Sequence, residues 1–102
     1  MIHEDERRIL EDWPEAKIIT AKKDCDLGNH YHKIKTEKFI LVDGFCVIFT
    51  MDKDSFLGPF PMTKGEIYTI SPGTKHTFSL KEGSVLIGLC SHPYDKSDDY
   101  TN

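Results

Sequence analysis

The chain has 102 residues, 38% of them apolar, and a formal net charge of −4. That supports one domain with a modest core rather than two domains. The scattered basic residues argue against a nucleic-acid surface, and every apolar run is too short to cross a bilayer.

Residues 1–8 are charged and have no signal-peptide core, which implies the cytoplasm. Cys25, Cys46 and Cys90 are odd in number and have no CxxC spacing. They read as reduced thiols. Cys46 and Cys90 fall in apolar strands and read as core, while Cys25 lies close in sequence to the histidine motif below.

In chain order, residues 4–12 read as a short helix or an extended arm, with Ile9, Leu10 and Trp13 as apolar points and Pro14 as a stop. Trp13 is expected to pack against the body of the protein or a partner. Residues 16–22 read as the first strand, rich in β-branched side chains. Residues 24–28 read as a turn, and His30-Tyr31-His32 as the second strand. The third strand runs over residues 37–42. Asp43-Gly44 is a two-residue hairpin signal leading into a fourth strand over residues 45–51.

Residues 52–64 read as a long loop, unusually apolar through Phe56, Phe60 and Met62. It is either a flap on the barrel side or the rim of a ligand pocket. A strand follows over residues 66–70, then a Ser71-Pro72-Gly73 turn. Residues 76–80 alternate, with His76, Phe78 and Leu80 on one face. A turn at residues 81–83 precedes a last strand over residues 85–90. The polar tail beyond is expected to be partly mobile. This divides the chain into an arm (residues 1–15), a β-domain (16–91) and a tail (92–102). About eight short strands with turns between them predict an all-β barrel or sandwich.

The chemistry sits at two places. His30 and His32 are two apart and share a strand face, so both imidazoles can reach one transition metal. Glu37 opens the next strand and can return a carboxylate to the same ion. His76 starts a distant strand. The two motif strands must meet if one ion is shared, and a double-sheet jelly roll achieves that. With Glu37 inward, Phe39 and Leu41 line the interior. Ile40 and Val42 then face outward and need cover, from the N-terminal arm or a second subunit, and a homodimer is favoured.

His-x-His, four residues, Glu37, six residues, Gly44, and later Gly65, five residues, Ser71-Pro72-Gly73, two residues, His76 resemble the two motifs of the cupin family. The resemblance spans residues 16 to 91. It implies an all-β, cupin-type double-stranded β-helix (jelly-roll) barrel, with His30, His32, Glu37 and His76 as metal ligands. Ser71 stands where the family often has proline, and Leu80 where the second motif often ends in Asn.

Residues 28–39 are also similar to the cupin domain of bacterial capsular polysaccharide enzymes that epimerise nucleotide-linked deoxysugars. The tail is similar to those of small cupins that isomerise keto-deoxysugar nucleotides. Leu27 departs from the Arg that tends to precede the Gly in the capsule enzymes, a position that could hold an anionic substrate.

Three imidazoles and a carboxylate around a divalent transition ion (zinc, iron, nickel or manganese) leave room for a substrate oxygen, so the ion acts as a Lewis acid. Proton transfer beside a carbonyl also needs a base. Candidates include Tyr31, Lys38 and His92, with Tyr68, Glu66 and Lys35 put forward as catalytic. The substrate expected is a small molecule, a sugar. The same ligand set with Fe(II) could instead serve a dioxygenase, and a bare cupin could be a non-catalytic sugar-binding module.

Overall fold

The structure is a computed structural model and describes residues 2–13, 16–51, 56–92, 96–98 and 100. Ten strands are present among them: β1 (Ile2–Glu4), β2 (Arg8–Trp13), β3 (Ala16–Ala21), β4 (Cys25–His30), β5 (Glu37–Asp43), β6 (Cys46–Met51), β7 (Phe56–Pro61), β8 (Ile67–Ile70), β9 (Lys75–Leu80) and β10 (Val85–Cys90). A 3₁₀ turn spans Lys96–Asp98. No helix among the described residues is long and apolar enough to cross a membrane.

Two antiparallel sheets face each other. One runs β1-β2-β3-β10-β5-β8 and the other β4-β9-β6-β7. β10 inserts between β3 and β5, and β9 between β4 and β6, so neighbours in space are distant in sequence. This is the jelly-roll solution, in which crossed connections close a double sheet around one core.

Period-two alternation builds that core. Glu37, Phe39 and Leu41 of β5 are buried, as are His76, Phe78 and Leu80 of β9, and Leu86 of β10 is fully buried. Ile19 and Ala21 from β3, and Cys46 and Ile48 from β6, complete the inner faces. The site donors therefore lie on the same faces as the core and inherit its rigidity.

Several sequence expectations need correction. Of the two readings of residues 4–12, the helix is replaced by extended chain: β1 and β2 are a hairpin that extends the larger sheet through β3. The side chain of Trp13 lies outside the described residues. Residues 25–28, expected as a turn, belong to β4, which pairs with β9. His32 falls after β4 rather than inside a strand. Residues 56–61 of the expected long loop are strand β7, paired with β6, because the Phe-rich segment finds an open sheet edge there. Met62 is buried beyond it; residues 52–55 are not among those described.

Candidate metal centre

The larger sheet supplies Glu37, and the smaller sheet supplies His30 and His76, which are cross-strand partners on β4 and β9. A register irregularity between Gly28 and His30 sets the aim of the first histidine. Gly28 is required there. Its φ is +96°, and a Cβ would lie 2.8 Å from the His76 carbonyl oxygen. The two motifs are also tied directly, since Gly73 N–H donates to the His32 carbonyl at 2.6 Å.

One donor atom from each of His30, His32, Glu37 and His76 lies within 4.8 Å of the others. His30 is half-buried, and the other three are buried. The imidazole centroids of His32 and His76 are each 4.8 Å from that of His30.

The tautomers follow from the partners. His32 Nδ1 meets the Asp98 carbonyl at 2.7 Å, and His76 Nδ1 meets the Thr74 carbonyl at 3.2 Å. A carbonyl only accepts, so both Nδ1 atoms carry the proton and donate. Both Nε2 atoms then aim lone pairs at Glu37 Oε1, 3.1 Å away for His32 and 3.3 Å for His76. These three buried atoms have no hydrogen-bond partner. Three acceptors converging on one point is a costly arrangement in a dry interior. A divalent transition ion satisfies all three at once, and borderline-soft imidazoles with one carboxylate suit zinc, iron, nickel or manganese. The residues fit such an ion.

Glu37 uses its oxygens for different ends. Oε2 faces away from the imidazoles, 3.5 Å from Lys17 Nζ and 3.8 Å from Cys90 Sγ. Burial opposes ionisation of Glu37 most strongly. The His76 contact, the Lys17 ammonium and the neighbouring His32 more than offset it and hold the carboxyl well below the usual carboxylate range. Cys90 is itself 4.0 Å from Lys35 Nζ. Burial pushes the Cys90 thiol up, with the two lysines opposing that shift.

The loop between His32 and Glu37 is gripped by the tail. The Asp98 carboxylate accepts from Lys33 N–H at 2.9 Å, Ile34 N–H at 3.2 Å and Lys35 N–H at 3.4 Å. Tyr31 and Tyr100 exchange two backbone hydrogen bonds, of 2.9 and 3.0 Å, and their rings stack 5.2 Å apart. The Lys33 ammonium sits 4.5 Å from the Tyr100 ring centre. Desolvation raises the Asp98 pKa, but the three N–H donors and His32 more than offset that and lower it.

His30, His32, Glu37 and His76 are thus brought together as expected. Lys35 is buried and reaches the cluster's back through Cys90. Tyr68 packs half-buried against the core, opposite Phe39, and its hydroxyl accepts from Thr63 N–H at 2.8 Å and donates to Glu66 Oε2 at 3.4 Å. Tyr68 and Glu66 therefore meet each other at the turn before β8 rather than at the imidazoles. Leu27 is a buried core residue opposite Phe78. Cys25 lies at the far end of β4 from His30, so the thiol beside the site is Cys90. Cys46 is core, and burial pushes its pKa up to about 12.

Lys17, Gly88, Cys90 and Asp98 carry roles the motif reading did not find. Three of them had a signal. Lys17 alternates with Ile19 and Ala21 onto the inner face of β3, Cys90 shares the inner face of β10 with Leu86, and an isolated Gly88 within an apolar strand marks a close approach.

No protein-family model matches the sequence, and the search of curated proteins found no match. Solved structures do match. The capsular polysaccharide assembling protein CapF of Staphylococcus aureus aligns with a TM-score of 0.82 at 23% identity, over 98% of this chain and 31% of its own. The sugar 3,4-ketoisomerase QdtA of Thermoanaerobacterium thermosaccharolyticum, in complex with TDP, aligns at 0.76 and 23% identity, over 100% of this chain and 83% of its own. Oxalate decarboxylase of Lactobacillus farciminis aligns at 0.79 and 13% identity, over 98% and 33%. The chain spans about a third of the length of CapF and of the decarboxylase. At these identities the shared property is the path of the backbone. Two crossed antiparallel sheets, with imidazoles from one and a carboxylate from the other meeting inside, give this chain the cupin fold.

Proposed function

We propose that this chain is a cytoplasmic, metal-dependent isomerase or epimerase of a carbohydrate or a nucleotide-linked keto-sugar. The observation that carries the reading is the convergence of His32 Nε2, His76 Nε2 and Glu37 Oε1, buried and unpartnered, on one point inside the barrel. The choice of sugar is supported by the ketoisomerases, whose length this chain nearly matches. One of them is described as a TDP-fucose-3,4-ketoisomerase from Campylobacter jejuni.

A divalent ion held by His30, His32, Glu37 and His76 supplies Lewis acidity to a substrate oxygen. The protein's own groups do the rest. The Nδ1–H bonds of His32 and His76 keep their Nε2 lone pairs inward. Phe39 and Phe78, 4.4 Å apart, wall the site with apolar surface that excludes water.

The candidates for proton transfer are Lys35, which reaches Glu37 through Cys90, and the Tyr68–Glu66 pair, which would have to move from the turn before β8 to reach a substrate. The chain acts as a homodimer in this reading. Ile18, Ile87, Ile40 and Ile67 pair in register across β3, β10, β5 and β8. They form an aliphatic row on the outer face, and Ile67 is 59% exposed. An Ile67→Lys variant that stays dimeric by sedimentation would count against that face.

The test couples metal content to solvent exchange. The purified protein should carry one ion per chain, and His76→Ala and Glu37→Ala should lose it. Incubated in heavy water with a TDP-linked keto-deoxysugar, the loaded protein should place deuterium on a carbon beside the carbonyl. Lys35→Met, Tyr68→Phe and Glu66→Gln then rank the proton carriers. Oxygen uptake without exchange would move the assignment to a dioxygenase. Saturable sugar binding with neither would make the chain a binding module.

A further inference from the structure

We infer that Asp98 and Tyr100 form a latch on the metal centre, with Asp98 as a positioning residue. Docking of these two residues and binding of the ion then strengthen each other. The inference rests on the metal-binding part of the reading above and not on the sugar chemistry.

Four contacts carry it. The Asp98 carbonyl takes the Nδ1 proton of His32 at 2.7 Å and so turns Nε2 toward Glu37. The Asp98 carboxylate takes the N–H groups of Lys33, Ile34 and Lys35, the residues that separate His32 from Glu37. Tyr100 pairs through both backbone groups with Tyr31, between the two motif histidines. Its ring stacks on that of Tyr31 and lies under Lys33. Residues 31–35 carry no strand pairing of their own beyond the Tyr31 bridge. Their shape, and hence the spacing of two donors, is held by the tail together with the Gly73 N–H bond to the His32 carbonyl.

If the tail leaves, the His32 ring loses its anchor and three N–H groups lose their acceptor. The donor set then binds an ion only after paying to reorder. Linkage requires the converse: a bound ion must hold the tail down by the same factor. Removing an outer partner of a metal ligand typically weakens the site by about 10–100-fold.

The experiment uses the full chain and Zn²⁺ alone, titrated against a competing chelator. Asp98→Ala and Tyr100→Ala should each bind Zn²⁺ about 10–100-fold more weakly, with Asp98→Asn between Asp98→Ala and the wild type. A purely structural role would lower the melting temperature of the metal-free protein and leave Zn²⁺ affinity unchanged. The second readout needs no variant. Amide hydrogen exchange at Tyr31 and Tyr100 of the wild type should slow when Zn²⁺ is added, while core amides such as that of Phe78 gain no more than global stabilisation provides.

Unchanged affinity in both alanine variants, or equal Tyr100 exchange with and without Zn²⁺, overturns the latch. Failure of the wild type to bind Zn²⁺ or any of the other three ions would instead remove the metal centre itself. Loss of the isomerase assignment alone leaves the latch standing.

Discussion

Lys17 reaches Glu37 across a gap left by residue 88. Gly88 on β10 stands opposite Lys17 on β3 and Phe39 on β5. A Cβ there would lie 2.9 Å from Lys17 Cε and 2.9 Å from Phe39 Cε1. With hydrogen in its place, the lysine stem crosses the strand and sets Nζ 3.5 Å from Glu37 Oε2. One oxygen of the carboxylate is thereby committed to a cation of the protein, and the other is left to the imidazoles.

Gly88→Ala should therefore act at a distance. The new methyl crowds both the Lys17 stem and the Phe39 ring without touching a ligand. Lys17→Met isolates the loss of the charge. Both leave a buried carboxylate without its fixed cation. Breaking a fully buried pair costs about 3–5 kcal/mol. Lys17 retains 24% of its side-chain exposure, so a loss of about 1–3 kcal/mol is expected in the metal-free protein. A bound ion compensates Glu37, so the loss should shrink when metal is present. Urea unfolding with and without Zn²⁺ measures the difference. Equal losses in the two states would show that Lys17 does not serve Glu37.

Acid should unfold the metal-free protein in a defined window. Glu37 and Asp98 both have folded pKa values below their ordinary ones. A depressed carboxylate stabilises the fold above its unfolded pKa, about 3.9–4.3. That stability is lost as pH falls below this range through the lower folded value. Metal-free stability should hold from neutral pH down to about 5 as far as these two groups are concerned, then decline. Glu37→Gln should flatten the decline. A circular-dichroism acid titration of both proteins decides it, and identical acid limbs would exclude Glu37 as a contributor.

Phe39 links core to site. Its ring is 2% exposed, 4.4 Å from Phe78 and 5.9 Å from His76. Phe39→Ala should cost about 3–5 kcal/mol through the cavity it leaves, and should also loosen His76. Leu80→Ala, on the same strand but four residues from His76, should cost about 2–5 kcal/mol and spare the site. Zn²⁺ affinity separates the two: it should fall in the first variant and hold in the second. Parallel losses would mean that affinity follows global stability alone.

Gly28→Ala should be more damaging to the site than to the fold. The added Cβ would meet the His76 carbonyl oxygen at 2.8 Å, at a φ of +96°. β4 must then move away from β9 at the point where His30 and His76 pair. The measurement is metal content after purification, expected to drop while the protein remains folded. Full occupancy in the variant would show that β4 can shift without cost to the ligands.

The four clustered residues were legible in the sequence through their motif spacing and through one alternation. His76 leads the run of Phe78 and Leu80 that the core buries, whereas His32 lies past the end of β4 and its place beside His30 does not come from period two. The same alternation carried Phe39 and Leu41 inward. It failed where pairing partners lie far away. Nothing local distinguishes residues 56–61 as a strand, because what makes them one is the edge of β6. Residues 25–28 look like a turn for the same reason, since β9, some fifty residues on, completes them. Lys17 was legible and overlooked: its face is shared with Ile19 and Ala21. Asp98 gave no signal at all, because one acid in a polar tail is indistinguishable from its neighbours until the loop it caps is in place.

The contact between His32 and Asp98 also orders events during synthesis. The two residues are 66 positions apart. At about 5–20 residues per second, the ribosome needs roughly 3–13 s to cover that distance. His30 and His32 are in place from the start of that interval, Glu37 follows soon after, and His76 joins them before Asp98 does. The nascent chain thus displays its donors before it has the carbonyl that fixes the His32 tautomer. An ion met early finds histidines free to turn, and one met after release finds them aimed. Should the four residues take an ion, chain order favours its capture by the finished protein.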